Sequence, residues 1–284
     1  MALTAKDKVG SKIRCLDLSL MIKDDPVILQ KLVNLEKVTI PENPTIIPCG
    51  RGNPEELIFN RRIAVDFIGE LLKSNRKCKF SDYSDFKKQT EDWWLVHTNG
   101  ANTPNWDIAC IAEINKRKGL ILVEAKAHKA ELSREVKTYD HSNPHSLENH
   151  ERIIMRIQEA GKELSTYSKL GFNLSDKSPY QLSNRFAWSW FLAMHGIPVV
   201  LVYLGFLNAK EMNGKQFDSH EDVVQSIQAY CRGKNYHSTV FVPDQAWKQE
   251  PLFDDGYATM YSVIRSMELR IGQSSVVSIN GTNY

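Results

Sequence analysis

The stretch Leu120-Ile-Leu-Val-Glu-Ala-Lys126 decides the fold, because it is an apolar run that ends in two charged residues. Its length and branched side chains are typical of a buried strand. Side chains alternate between the two faces of a strand, so Glu124 and Lys126 project on the face that carries Leu120 and Leu122. Two charges at the end of a buried strand are costly unless they are paired, hydrated or bound to metal. The pattern therefore predicts a polar site at one end of a sheet.

A third charged residue, Asp107, lies 17 positions before Glu124 in a second apolar segment, residues 105–114. That segment predicts a strand, and the polar residues 115–119 predict a turn that brings the two carboxylates side by side. Like charges at short range repel, and a divalent cation would relieve the repulsion, since Mg²⁺ prefers carboxylate and water oxygens. A lysine beside the cation, Lys126, would orient or help to deprotonate a bound water.

The sequence on both sides of these two predicted strands indicates an α/β order of helices and strands. Apolar residues at helical spacing predict helices at residues 55–73, 146–170 and 183–195. Strands are predicted at residues 93–98 and 199–206. The predicted order is therefore one helix, three strands, two helices and one strand.

Weaker patterns flank this region. A short helix is predicted at residues 26–35, followed by a proline-rich boundary. After residue 207, we expect a short strand near 239–242, a helix near 257–269 and a frayed tail at 274–284. The predicted organisation has three parts, namely an N-terminal extension (residues 1–54), a core (residues 55–207) and a C-terminal addition packed on the core (residues 208–284).

The pair Asn105-Trp-Asp107 and Glu124-Ala-Lys126, within this order of elements, resembles the PD-(D/E)XK nuclease superfamily, which has a restriction-endonuclease-like fold. The resemblance implies a central mixed sheet of four or five strands flanked by helices. It also implies hydrolysis of DNA, or less readily RNA, with Mg²⁺ or Mn²⁺ as cofactor and a 5′-phosphate as product. Asp107 and Glu124 would be metal ligands, and Lys126 would be the catalytic lysine. The family's proline stands directly before the aspartate, whereas here Trp106 takes that place and Pro104 lies upstream.

Further site residues follow from the resemblance and from charge. Members of the superfamily often add an acidic residue from the helix before the first strand, and Glu56, at the edge of the apolar face of the predicted helix, is our candidate for this catalytic and metal-binding role. An acidic residue that favours the first turn of a helix explains Glu56 equally well. Basic or polar residues near the predicted cleft and in the predicted turn are candidates for binding the nucleic-acid backbone. These candidates are Arg61, Lys116, Arg117, His128 and Lys129.

Two alternatives remain open. The chain could be a nuclease-fold module with a decayed active site that binds nucleic acid or a protein partner. It could also be an unrelated α/β protein in which Glu124 and Lys126 form a surface ion pair of little consequence.

Amino-acid composition narrows the possible classes of protein further. A hydrophobic content of 42% with 25% charged residues is typical of a folded protein. The 36 basic and 34 acidic residues nearly cancel, so any DNA-binding surface must be local. Five widely spaced cysteines without a CxxC pair argue against a disulfide framework and a cysteine zinc site. Without a signal segment or an apolar run of about 20 residues, we expect a cytoplasmic location and no membrane partner; a homo-oligomer is compatible with the sequence.

Overall fold

The computed structural model describes residues 9–132, 139–176, 179–212, 216–232, 241–253, 258–272 and 275–284. These residues form seven α-helices and ten β-strands. The helices are α1 (Gly10–Asp24), α2 (Val27–Val33), α3 (Ala64–Ser74), α4 (Tyr83–Trp94), α5 (Pro144–Ser168), α6 (Tyr180–Met194) and α7 (His220–Arg232). The strands are β1 (Val38–Thr39), β2 (Ile46–Ile47), β3 (Leu57–Ile58), β4 (Asn105–Trp106), β5 (Ile108–Ile114), β6 (Arg117–Lys126), β7 (Val199–Phe206), β8 (Met260–Arg270), β9 (Ser275–Ile279) and β10 (Thr282–Asn283).

Eight of the described strands form one mixed sheet in the order β1-β5-β6-β7-β8-β9-β10, and β2 also pairs with β5. The pairs β6–β7 and β7–β8 are parallel, whereas the other pairs are antiparallel. Strands β3 and β4 form a separate ribbon. The expected α/β class with helices around a mixed sheet is confirmed. The expected four or five strands are wrong, because segments on both sides of residues 55–207 add strands to the same sheet; the restriction-endonuclease-like core and the domain boundaries stay predictions.

Helices cover both faces of this sheet. Ile121, Val123 and Ala125 of β6 pack in the same buried cluster as residues of α1 and α2. Leu120 and Leu122 point to the opposite face and pack in the cluster formed with α3 to α7. The alternation predicted for β6 is therefore confirmed, and it directs the end of this strand toward α6. Among the described residues, no helix is long and apolar enough to cross a membrane.

The β5–β6 hairpin closes through a tighter turn than the sequence predicts. Ile114 pairs with Arg117, which leaves only Asn115 and Lys116 in the turn. Both have positive φ, 50° and 62°, as two-residue hairpin turns require. Gly119 lies inside β6, where a Cβ atom would stand 2.4 Å from a backbone carbonyl oxygen. The glycine thus marks a close backbone approach rather than the end of the turn.

Two elements before the hairpin differ from the prediction. The helix expected at residues 55–73 begins only at Ala64, because Leu57 and Ile58 pair with β4. The strand expected at residues 93–98 is wrong, because α4 extends to Trp94 and ends in a short extended segment. Asp82 starts this helix by accepting a hydrogen bond from the Asp85 amide at 2.9 Å. Strands β1 and β2 take the expected strand's place in the sheet.

The C-terminal region contains the other wrong predictions. The helix expected at residues 257–269 is strand β8, and the tail expected to fray contains β9 and β10. Half of the short strand expected near 239–242 falls on residues outside the described ranges, and the two residues that are described form no strand. The predicted helices and strand at residues 26–35, 146–170, 183–195 and 199–206 are confirmed as α2, α5, α6 and β7, with small shifts at their ends.

Candidate active site

Asp107 lies between β4 and β5, where the chain leaves the ribbon and enters the sheet. One of its carboxylate oxygens, Oδ2, accepts a hydrogen bond of 2.7 Å from the Ala125 amide. Because Ile108 pairs with Val123, this register sets Asp107 beside the end of β6. The hairpin thus brings Asp107 and Glu124 together as the sequence predicts, with the Asp107 side chain partly exposed.

Glu124 and Lys126 lie at the end of β6 and are buried, with 1% and 8% of their surfaces exposed. The Lys126 ammonium donates hydrogen bonds to Glu124 Oε1 at 2.5 Å and to Gln181 Oε1 at 3.0 Å. The alternative of a surface ion pair at this position is therefore wrong. Removing one partner of a buried pair leaves an uncompensated charge, so this ion pair has a structural consequence that an exposed one lacks.

Arg185 is the main residue of the site that the sequence analysis missed. Its Nε donates to Glu124 Oε2 at 2.7 Å, and its guanidinium lies 4.7 Å from the centre of the Trp106 ring. Helix α6 begins at Tyr180, earlier than expected, and so includes both Gln181 and Arg185. Residues four apart share a helix face. Two polar residues at that spacing in an aromatic-rich helix are the signal that could have revealed this face.

The electrostatics of the site centre on Asp107. Burial and the neighbouring charge of Glu124 raise the pKa of Asp107 to about 8, although Lys126 opposes the shift. Burial alone would also raise the pKa of Glu124, but Arg185 and Lys126 lower it. The pKa of Lys126 is raised, because Glu124 and Asp107 outweigh the effect of burial. Lys126 and Arg185 thus both pair with Glu124. The negative charge of Asp107 is therefore less well compensated than that of Glu124.

Glu56 reaches the site from a different element than expected. It precedes β3 in an extended segment, so both helical explanations of this residue are wrong. Its carboxylate accepts a hydrogen bond from the Asn105 side chain, and its charge contributes to raising the pKa of Asp107. Within the described ranges, no group of three or more His, Cys, Asp or Glu side chains is arranged to hold a metal ion.

Two predicted nucleic-acid contacts near the end of β6 are engaged with neighbouring residues. His128 accepts a hydrogen bond from the Ala130 amide at 3.1 Å through Nδ1. The Lys129 ammonium lies 2.7 Å from Asp222 of α7. A phosphate group would have to compete with that carboxylate for Lys129.

The other three predicted contacts divide between the two ends of the sheet. Arg61 is exposed and donates to the side chain of Asn102, which lies in the loop before β4 and lines the same cavity as Glu56. Lys116 and Arg117 lie at the hairpin turn, roughly 20 Å from Glu124 along β6 by the rise of a strand. The Arg117 guanidinium donates to the Gly196 carbonyl at 2.8 Å. The structure therefore brings Arg61, but neither residue of the turn, toward the catalytic candidates.

These residues form a charged cluster on an apolar sheet. Comparison with other proteins assigns neither a family nor a function to the chain. No family model matches the sequence, and neither a curated protein nor a solved structure matches it. A functional proposal therefore depends on the geometry and chemistry of the cluster.

Proposed function

We propose that the protein is a metal-dependent nuclease of the PD-(D/E)XK type that hydrolyses phosphodiester bonds in DNA. The observation that carries the proposal is the charge imbalance at Asp107. Two carboxylates meet at the end of the hairpin, both nearby cations pair with Glu124, and the pKa of Asp107 rises to about 8. Perturbed carboxylates beside a buried lysine are typical of sites that act on charged substrates.

The donors present fit Mg²⁺ or Mn²⁺. Mg²⁺ is usually held by one or two carboxylates, with water and substrate phosphates completing its shell. Asp107 supplies a partly exposed carboxylate that lacks a compensating charge. Glu124 has both oxygens hydrogen bonded, but each carboxylate oxygen has a second lone pair with which it could bind a cation. Glu56 would act through its charge and by fixing Asn105.

The metal ion and the residues of the site would have separate roles in the proposed reaction. A bound Mg²⁺ would polarise the phosphoryl group and a water ligand. The water oxygen forms a bond to phosphorus, the bond from phosphorus to the 3′-oxygen breaks, and the proton released by the water ultimately balances the 3′-alkoxide. Lys126 has a raised pKa and keeps its proton, so it orients the water and stabilises charge on the phosphoryl oxygens instead of acting as a base. Arg185 and Gln181 hold Glu124 and Lys126 in place.

The test is cleavage of linear, circular and single-stranded DNA with Mg²⁺, Mn²⁺ or EDTA. Lys126→Met keeps the length of the side chain but removes its charge, and Asp107→Asn keeps an acceptor for the Ala125 amide. We expect both variants to lose at least about 100-fold in rate, since each removes charge stabilisation at the reacting phosphate. Lys88→Met is the matched control, because Lys88 is exposed on α4 and pairs only with the exposed Asp92 among the described residues.

Metal-independent cleavage, or full activity in Lys126→Met, would refute the proposal. Metal-dependent binding of DNA without cleavage by the wild type would instead favour the inactive module. One observation gives that alternative weight, since Lys126 and Arg185 together already neutralise Glu124. Retention of the neighbouring Asp107, which such a module would not need, weighs against it.

A further inference from the structure

A cavity of about 250 Å³ adjoins the catalytic candidates on the side of the β3–β4 ribbon. Apolar side chains from three elements form part of its wall, namely Ile58 of β3, Trp94 of α4 and Ile153 of α5. Polar residues also line it, among them Asn105 of β4 and Tyr180 and Asn184 of α6. Pockets for drug-sized ligands usually exceed this volume, so the cavity suits a single ring system.

Helix α6 connects this cavity to the catalytic residues. Tyr180 and Asn184 line the cavity, and the residue that follows each of them, Gln181 or Arg185, contacts the end of β6. Glu56 also lines the cavity while raising the pKa of Asp107. A ligand in the cavity would therefore lie next to residues whose sequence neighbours contact the proposed metal site.

Asn184 carries the strongest indication of a ligand. It is only 6% exposed, and its amide nitrogen donates to the Tyr180 hydroxyl at 3.3 Å. Its Oδ1 is buried and has no hydrogen-bond partner among the described residues. A buried acceptor without a partner lowers stability, and native proteins rarely retain one without a reason. An N–H group of a ligand that enters the cavity and displaces the Asn184 side chain slightly would satisfy this acceptor.

We propose that this cavity receives one unstacked nucleobase of the DNA strand that is cut, next to the scissile phosphate. A nucleobase is a flat ring with apolar faces and an edge of donors and acceptors, which matches an apolar wall combined with an asparagine amide. Because a paired base cannot leave its stack without cost, single-stranded or frayed DNA is the preferred substrate. This inference rests on the proposed function and names the substrate form for that same site.

The experiment compares cleavage rates on duplex DNA, on single-stranded DNA and on single strands with one abasic nucleotide placed at successive positions around the cut. We expect single strands to be cut faster than duplex, and one abasic position beside the cut to slow cleavage roughly tenfold, as loss of one stacked base does elsewhere. Abasic nucleotides at distant positions are the internal control and should leave the rate unchanged.

Two variants test the cavity directly. Asn184→Leu removes the unpaired acceptor and should slow cleavage of the intact strand roughly fivefold, the equivalent of about 1 kcal/mol. On the strand that is abasic beside the cut, Asn184→Leu should cause no further loss of cleavage rate. Ile58→Trp, at a half-buried wall position, fills the cavity and should slow cleavage even if Asn184→Leu folds poorly. Asn283→Leu, exposed on β10, is the matched control.

Different results would refute the proposed function and the nucleobase site. If the wild type cuts no DNA, or Lys126→Met remains active, the proposed function fails and the inference with it. If cleavage requires Lys126 but the abasic series is flat and both cavity variants cut at the wild-type rate, only the nucleobase site is refuted. Equal rates on duplex and single strands would also refute it.

Discussion

Replacement of Asp107 by asparagine should stabilise the protein at alkaline pH while it removes activity. Asparagine keeps an oxygen that accepts the hydrogen bond from the Ala125 amide but carries no charge. An unfolded aspartate ionises near pH 3.9, whereas the folded pKa of Asp107 is about 8. Between these values the folded state retains a proton that the unfolded chain has lost, so the stability of the wild type falls as pH rises through this window.

The size of the effect follows from the two pKa values. Their separation corresponds to at most roughly 6 kcal/mol, at about 1.4 kcal/mol for each pH unit. Because Asp107 is partly exposed, solvent screens part of this cost, and we expect Asp107→Asn to be more stable than the wild type by about 2–3 kcal/mol at pH 8.5. At pH 4 the two proteins should differ by no more than about 0.5 kcal/mol, since the carboxyl group is then protonated in the folded state and roughly half protonated in the unfolded chain.

Urea unfolding in EDTA at pH 4, 6 and 8.5 measures this difference. Asp92→Asn is the control, because Asp92 is exposed and its replacement should change the free energy of unfolding by no more than about 0.5 kcal/mol. Addition of Mg²⁺ at pH 8.5 should stabilise the wild type and not Asp107→Asn. A variant that is less stable than the wild type at pH 8.5, or a difference that does not grow with pH, would refute the assignment of uncompensated charge to Asp107.

Three further predictions concern the surroundings of the site. Gly119→Ala should lower the free energy of unfolding by about 1–3 kcal/mol, because its Cβ would stand 2.4 Å from a backbone carbonyl oxygen; an unchanged urea midpoint would contradict the close approach. Arg185→Met should cost about 3–5 kcal/mol by leaving Glu124 undercompensated, and addition of Glu124→Gln should recover part of this loss, whereas additive losses in calorimetry would refute the coupling. Gln181→Ala should lower kcat roughly tenfold with little change in KM, because Lys126 loses an orienting acceptor; a change confined to KM would indicate a role in binding instead.

The β5–β6 hairpin could be predicted because its signals are local. Residues 120–126 combine an apolar run with a charged end, and Asp107 and Glu124 lie at matching ends of two segments joined by a short polar stretch. These features do not depend on distant parts of the chain. The two residues of the turn adopt positive φ, which asparagine tolerates and which explains why the turn is shorter than its polar sequence suggests.

The wrong predictions arose where tertiary contacts override local pattern. Trp93 and Trp94 have high strand propensity, but stacking against the aromatic residues of α6 holds them at the end of a helix. Residues of β8 show no clean alternation, because both faces of that strand are buried between layers of helices. Arg185 was missed because its role depends on a contact with Glu124 across 61 positions of the chain.

The parallel pair β7–β8 has a consequence for how the chain is made. Val199 pairs with Met260, and Arg265 of β8 donates to the Val33 carbonyl of α2, so the sheet joins segments that are synthesised far apart in time. Until residues 260–270 leave the ribosome, the largely apolar β7 has one unpaired edge, which is a template for pairing with other nascent chains. The native sheet can therefore close only late, and slow folding with a need for protection during translation follows from the topology.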